Sequence, residues 1–322
     1  MTKVKICGIT NLEDALLSAK FGADALGFNF YEKSPRYIAP EKAGEIIEQI
    51  PADVLKVGVF VNESLDKIVE IARIAKLDSL QLHGEETPEY AAELKAKTNL
   101  EIIKAFKVSP EFQPENVLRY GVDAVLLDAY SPKEHGGTGE TFDWEIAKKV
   151  QEIYPKMYLA GGLEHENIRQ AISATKSFAV DVCSKVEELK GKKDKVKLIN
   201  FLTKAKSNLN KDSPKSFYNL LSAIHTRPLM YLDKKSLIDL RNFLSGFRIA
   251  LNFSGSAFNT GKYFTDEIRS FAETFFDETI PGAMGLPTFI LRKYGDDEEK
   301  SFDVFFALLE EFKLEKEDLR ND

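Results

Sequence analysis

Cysteine is nearly absent from this sequence: Cys7 and Cys183 are the two in 322 residues. That excludes a disulfide framework and fits a reducing compartment, so a cytoplasmic location is expected. No unbroken apolar stretch approaches the roughly 18 residues a membrane helix needs. Met1 to Gly8 runs directly into a strand-like segment, so neither an anchor nor a signal peptide is expected. Positive charge does not dominate. Lys and Arg number 44 against 51 Asp and Glu, a formal net charge of -7, which disfavours a nucleic-acid surface. Histidine is scarce as well, and none of the four is spaced with cysteines or carboxylates as a structural zinc site requires, so no metal is expected. No Gly-x-Gly-x-x-Gly follows the first strand-like run, which weakens a dinucleotide site. The Gly-rich segment 131–139 lacks the Lys-Ser/Thr ending of a P-loop.

What is present is a periodic alternation. Over residues 1–206, short apolar runs recur at Val4–Cys7, Ala25–Tyr31, Val57–Val61, Ser79–His83, Ile102–Phe106, Ala124–Asp128, Met157–Ala160 and Ala179–Cys183. Their apolar residues are consecutive rather than alternating, the mark of strands buried on both faces. Amphipathic segments separate them, at about 11–21, 40–50, 64–75, 86–97, 113–120, 143–153, 164–174 and 192–206. Eight strand–helix units in this length predict an α/β fold, a closed (β/α)8 TIM barrel. An open doubly wound sheet is the structural alternative. Residues 207–216 are polar with one proline and read as a linker. Beyond them, 14 of the 23 phenylalanines fall between 217 and 322, many at helical spacing, as in Phe302, Phe305, Phe306, Leu309 and Phe312. A small all-α domain of four or five helices with a Phe-rich core is expected there.

In such a barrel, chemistry sits where strands end. Cys7 and Asp128 occupy the ends of strands 1 and 6 and are candidates for an acid–base pair. Gly161 and Gly162 after strand 7, with Cys183 and Ser184 after strand 8, occupy the positions of the usual barrel phosphate site. Arg36, after strand 2, is suited to holding a carboxylate with paired hydrogen bonds. His83 ends strand 4 and Asp181 lies in strand 8. His83 reads either as a structural group or as a substrate contact.

The residues also carry a family resemblance. Lys5-Ile6-Cys7-Gly8-Ile9-Thr10, Ser34-Pro35-Arg36-Tyr37, Gln81-Leu82-His83-Gly84, Leu127-Asp128, Gly136-Gly137-Thr138-Gly139 with Phe142-Asp143-Trp144, and Ala160-Gly161-Gly162-Leu163 resemble the motifs of the phosphoribosylanthranilate isomerases, in order and at the expected strand ends. The resemblance covers residues 1 to about 206. It implies an Amadori rearrangement in tryptophan biosynthesis, with Asp128 as general acid and Cys7 as general base. Arg36 would hold the anthranilate carboxylate, and Gly161, Gly162, Cys183 and Ser184 the phosphate. It implies a small phosphorylated substrate and no cofactor.

The chain departs from the family pattern in two places. Where relatives commonly read Val-Asp-Val-Ser-Ser-Gly-Val-Glu, it has Val180-Asp181-Val182-Cys183-Ser184-Lys185-Val186-Glu187. A lysine where relatives have glycine adds strain if the site needs a positive φ, or else adds a cation near the phosphate. Strands 1 and 8 adjoin in a closed barrel, so Cys7 and Cys183 are expected close together, with Cys7 pointing inward and Cys183 free to point away. Two other functions fit less well. One is a related barrel acting on another aminoaldose, for which a carboxylate-binding Arg36 has less use. The other is a protein that chiefly binds a partner, or docks internally, through residues 217–322.

Overall fold

The computed structural model describes residues 2–129, 144–206, 217–254, 266–282 and 284–321. The chain divides into two compact units, Met1–Lys206 and Ser207–Asp322. In the first, eight parallel strands close into a barrel in chain order: β1 (Lys3–Cys7), β2 (Ala25–Asn29), β3 (Leu55–Phe60), β4 (Ser79–Leu82), β5 (Glu101–Val108), β6 (Ala124–Ala129), β7 (Met157–Leu159) and β8 (Ala179–Val182). The helices between them are α1 (Leu12–Lys20), α2 (Pro40–Ile47), α3 (Leu65–Ala75), α4 (Pro88–Lys97), α5 (Trp144–Ile153), α6 (Ile168–Thr175) and α7 (Lys195–Lys206).

Local sequence explains these elements. In α3 the buried residues Ile68, Ile71, Ala72 and Ala75 fall at i, i+3, i+4 and i+7, one face of a helix. Asn11 caps α1 by accepting from the Asp14 N–H, and Thr87 caps α4 by accepting from Tyr90, with Pro88 at the first helical position. The strands sit between two apolar layers. Val4, Ile6, Leu26, Phe28 and Leu80 pack outward under the helices. Ala25, Val57, Ile103, Leu126, Tyr158 and Ala179 fill the barrel interior.

Two local expectations need correction. The segment expected to be a helix over 113–120 is a 3-10 helix, Pro114–Tyr120, stopped by Gly121 in the left-handed region. Its seven residues run from Pro114 to the left-handed Gly121, a short connection of the length that 3-10 turns commonly bridge. A hairpin between β8 and α7 was not anticipated: β9 (Glu187–Leu189) pairs antiparallel with β10 (Lys192–Lys193) around Gly191. Its charged residues carry no alternation that would announce a strand.

The second unit contains α8 (Phe217–Thr226), α9 (Leu237–Ser254), α10 (Asp266–Phe276), α11 (Leu286–Lys293) and α12 (Glu298–Asn321). Phe302, Phe305, Phe306, Leu309 and Phe312 are all buried. The ring of His225 stacks on Phe306 with centroids 4.3 Å apart. These phenylalanines are therefore core. No described helix is long and apolar enough to cross a membrane.

The first unit closes its sheet and covers it with its own helices. A fragment of residues 1–206 is therefore expected to fold and to keep the kcat of the full chain within about twofold, since eight strands and their helices already close the barrel. Urea denaturation and turnover of the fragment test this. An aggregated or inactive fragment would mean that the helical unit completes the barrel.

Candidate active site

A cavity of about 440 Å³ opens at the C-terminal end of the barrel. All nine expected site residues line it: Cys7, Arg36, His83, Asp128, Gly161, Gly162, Asp181, Cys183 and Ser184. The Gly-rich segment 131–139 lies outside the described residues. The expected motif at Phe142-Asp143 also lies outside them.

The β1–β8 ladder organises one wall. Lys5 is paired with Asp181 and Ile6 with Val182, and alternate residues of a strand share a face. Lys5 and Asp181 therefore meet inside the barrel, with Nζ 2.8 Å from Oδ1 and Lys5 fully buried. Cys7 follows on the same face, opposite Gly27 of β2. A Cβ on Gly27 would fall 2.8 Å from the Cys7 Sγ and 3.2 Å from the Lys5 Nζ, so glycine makes room for both.

The electrostatics favour a thiolate at position 7. The neighbouring Cys183 is the largest influence on Cys7, lowering it. Burial opposes it, but Lys5, Lys193 and His83 add to it, and together they hold Cys7 well below the ordinary thiol range. The Cys183 thiol is raised, first by Cys7 and then by burial. Asp181 is pushed up to about 6, chiefly by burial and further by Cys7, against the pull of Lys5. Burial works against the charge on Lys5, yet Asp181 and Cys7 outweigh it and raise the ammonium. Lys5 is thus the interior cation that Asp181 and Cys7 share.

Across the mouth, Asp128 is anchored twice. Its Oδ1 accepts from the Ala129 N–H at 2.9 Å, and its Oδ2 lies 3.4 Å from His83 Nε2. His83 Nδ1 is 2.8 Å from the Gln81 amide nitrogen. If Nδ1 accepts from that amide, the neutral ring carries its proton on Nε2 and donates it to Asp128. Gln81 was not among the expected residues, although its place two positions before His83 puts it on the same inward face.

Arg36 is held more firmly than its sequence position implied. Its Nε and Nη2 donate to the two oxygens of Glu187 at 2.8 and 2.7 Å, leaving Nη1 without a partner among the described residues. Glu187 also accepts from Lys193 Nζ and the Gly191 N–H, each at 3.3 Å. Burial would raise Glu187, but Arg36 and Lys193 outweigh it and hold it low. Lys193 also donates to the carbonyls of Cys7 and Cys183, at 2.6 and 3.3 Å. Neither Glu187 nor Lys193 was expected, because their roles depend on the unanticipated hairpin.

The fourth wall is backbone. Gly161 has φ +84°, and a Cβ there would fall 2.5 Å from the Ala129 nitrogen, so no other residue fits. The loop is pinned by Asn167, which donates to the Gly162 carbonyl and accepts from the Glu164 N–H, both at 2.9 Å. After β8, Ser184–Val186 forms a single 3-10 turn. The conditional strain at Lys185 does not arise, since this residue is not among those with positive φ. Its Nζ instead pairs with Glu164 Oε2 at 3.1 Å beside the cavity.

Comparison with known proteins follows the barrel unit. A family model described as N-(5'phosphoribosyl)anthranilate (PRA) isomerase matches residues 4–204. The N-(5'-phosphoribosyl)anthranilate isomerase of Geobacter metallireducens is 47% identical over 207 residues, covering 64% of this chain and 100% of that protein. The crystal structure of the phosphoribosyl anthranilate isomerase from Thermotoga maritima superposes with a TM-score of 0.60 at 46% identity, over 64% of this chain and 99% of that one. A phosphoribosyl anthranilate isomerase in complex with reduced 1-(o-carboxyphenylamino)-1-deoxyribulose 5-phosphate gives a TM-score of 0.58 at 44% identity, over 64% and 99% of the two chains.

Proposed function

This chain belongs, through residues 4–204, to the N-(5'-phosphoribosyl)anthranilate isomerase family, and from that premise we propose how its barrel performs the isomerisation. The activity is that of an aldose–ketose isomerase in tryptophan biosynthesis. The aminoaldose N-(5-phosphoribosyl)anthranilate becomes the aminoketose 1-(2-carboxyphenylamino)-1-deoxyribulose 5-phosphate. Asp128 protonates the furanose ring oxygen, and the ring opens to a Schiff base. The Cys7 thiolate removes the C2′ proton, giving an enolamine that tautomerises to the ketone. Proton transfers carry each step.

The observation that carries these roles is the opposition of a base and an acid across one cavity. Cys7 on β1 lies among cations that favour its thiolate, and Asp128 on β6 is steadied by His83. The neighbouring groups fit the two ends of the substrate. Arg36, locked by Glu187, presents Nη1 to the carboxylate end. The backbone of Gly161, Gly162, Cys183 and Ser184 frames the phosphate end. Fixing both ends holds the reacting carbon between base and acid and removes much of the entropic barrier. The relative bound to a reduced phosphorylated product analogue supports a substrate of this class.

The assay that tests this incubates the purified protein with freshly made phosphoribosylanthranilate and follows the aminoketose by chromatography. A folded protein that forms none would overturn the reading. Lys185 provides a second test, at the phosphate end. Lys185→Met is expected to raise KM by about 5-fold with little change in kcat, as expected for loss of a partly exposed charge contact worth under 1 kcal/mol. Glu164→Gln, which frees the ammonium, should not raise KM. An unchanged KM in Lys185→Met would remove this residue from the phosphate site.

A further inference from the structure

The chain's two cysteines occupy the same rung of the barrel seam. The β1–β8 register pairs Lys5 with Asp181 and Ile6 with Val182, so the next pair along is Cys7 and Cys183. Neighbouring strands lie about 4.8 Å apart, within the roughly 4.4–6.8 Å Cα separation that a disulfide accepts. Cys183 does not turn away, as its place before the phosphate loop allowed. Its Sγ faces the cavity that Cys7 also lines, 3.8 Å from Glu187 Oε1, and both residues are partly exposed there. Lys193 fixes the rung from behind by binding the carbonyl oxygens of both residues.

We propose that Cys7 and Cys183 form a dithiol oxidation site, in which a hydroperoxide oxidises Cys7 and Cys183 then closes on it as a disulfide. The loss of activity that accompanies closure rests on the reading of Cys7 as the general base. The disulfide itself does not.

The steps balance. The Cys7 thiolate attacks the distal oxygen of the hydroperoxide, the O–O bond breaks, and the leaving oxygen takes a proton to become an alcohol, or water from hydrogen peroxide. Cys7 is then a sulfenic acid. The Cys183 sulfur, having given up its proton, attacks the Cys7 sulfur. The S–O bond breaks and water leaves. Two thiols lose two electrons, and one peroxide gains them. The site favours the second step as well as the first. The charge of Cys7 helps hold Cys183 protonated. That charge is gone once Cys7 is a sulfenic acid, while Lys193 and Arg36 remain to favour a Cys183 thiolate. The sequence holds no third cysteine, so no competing disulfide forms within one chain.

The test treats the full-length protein with hydrogen peroxide and follows intact mass, free thiols after denaturation, and activity before and after dithiothreitol. The expected wild-type result is loss of two hydrogens in mass, loss of both thiols, and inactivation that dithiothreitol reverses. Cys183→Ser and Cys183→Ala, each compared with its own starting activity, are expected to gain one and then two oxygens. Their inactivation should become irreversible on prolonged exposure, because nothing intercepts the sulfenic acid. A wild-type protein that only gains oxygens, or keeps two free thiols, overturns the proposal. Loss of two hydrogens with activity retained would establish the dithiol and overturn the assignment of Cys7 as base.

Discussion

Cys7→Ser is expected to lower kcat by about 10²–10⁴-fold, the usual contribution of a general acid or base. Serine keeps the shape of cysteine, but its hydroxyl is a far weaker acid, and Lys5 and Lys193 are not enough to ionise it at neutral pH. Asp128→Asn is expected to lose a similar factor, because the amide keeps the shape of the acid and can still accept from the Ala129 N–H, yet is far too weak an acid to protonate the ring oxygen. Thermal unfolding of both variants should stay near that of the wild type, which separates a catalytic loss from a folding loss. Wild-type turnover at saturating substrate in either variant would refute the role assigned to that residue.

The second large effect concerns the buried pair beneath the thiol. Lys5→Met is expected to destabilise the barrel by about 3–5 kcal/mol at neutral pH, the cost of stranding one member of a buried ion pair. Lys5 has no exposed surface, and Asp181 retains only 8%, so water cannot replace the lost partner. The pH dependence has a definite sign. Asp181 titrates at about 6 in the folded protein, against about 3.9 for an unperturbed aspartate. Between those values the native state holds a proton that the unfolded chain has released. The contribution of Asp181 to stability is therefore fullest below about 3.9 and declines as pH rises through 6. Removing Lys5 raises Asp181 further, so the variant should recover part of its stability near pH 5 and be weakest near pH 8. Urea midpoints at the two pH values measure this. A variant equally destabilised at both would mean that lost packing, not stranded charge, sets the cost. Lys5→Met should also move the acid limb of the activity profile to higher pH, since Lys5 helps hold the Cys7 thiolate.

The barrel was legible because strands buried on both faces must be apolar residue after residue. All eight runs identified in the sequence begin within two residues of the observed strand, as at Val57 against Leu55 and Val4 against Lys3, and five of them, at Ala25, Ser79, Ala124, Met157 and Ala179, start on the same residue. The residues at strand ends were legible for a related reason, since a polar side chain closing an apolar run has few places to go except the mouth. Partnerships across the barrel were not legible. Arg36 and Glu187 are 151 residues apart in sequence, and their pairing follows from barrel closure and from a hairpin whose Glu-Glu-Leu-Lys-Gly-Lys-Lys sequence resembles a solvated loop. The same holds for Lys104, whose ammonium is buried against Glu86 and the Gly84 carbonyl at 2.9 and 2.7 Å. Lys5, two residues before Cys7 on the inward face, likewise pairs with Asp181 of the last strand, and nothing local in the sequence announced either pair.

The ammonium of Lys193 ties the carbonyl of Cys7 to that of Cys183, and so joins the first strand to the last. This imposes an order on synthesis. A nascent chain holds Cys7 from the beginning, but the thiol has neither Cys183 beside it nor the second of its lysines until the ribosome has passed residue 193. Ser207–Asp322 then remains to be translated, which at about 5–20 residues per second takes several seconds or more. Throughout that interval the complete barrel sequence is available to close while its C-terminus is still tethered. Its slowest contacts, those between the two ends of the barrel, thus gain time to form before the chain is released.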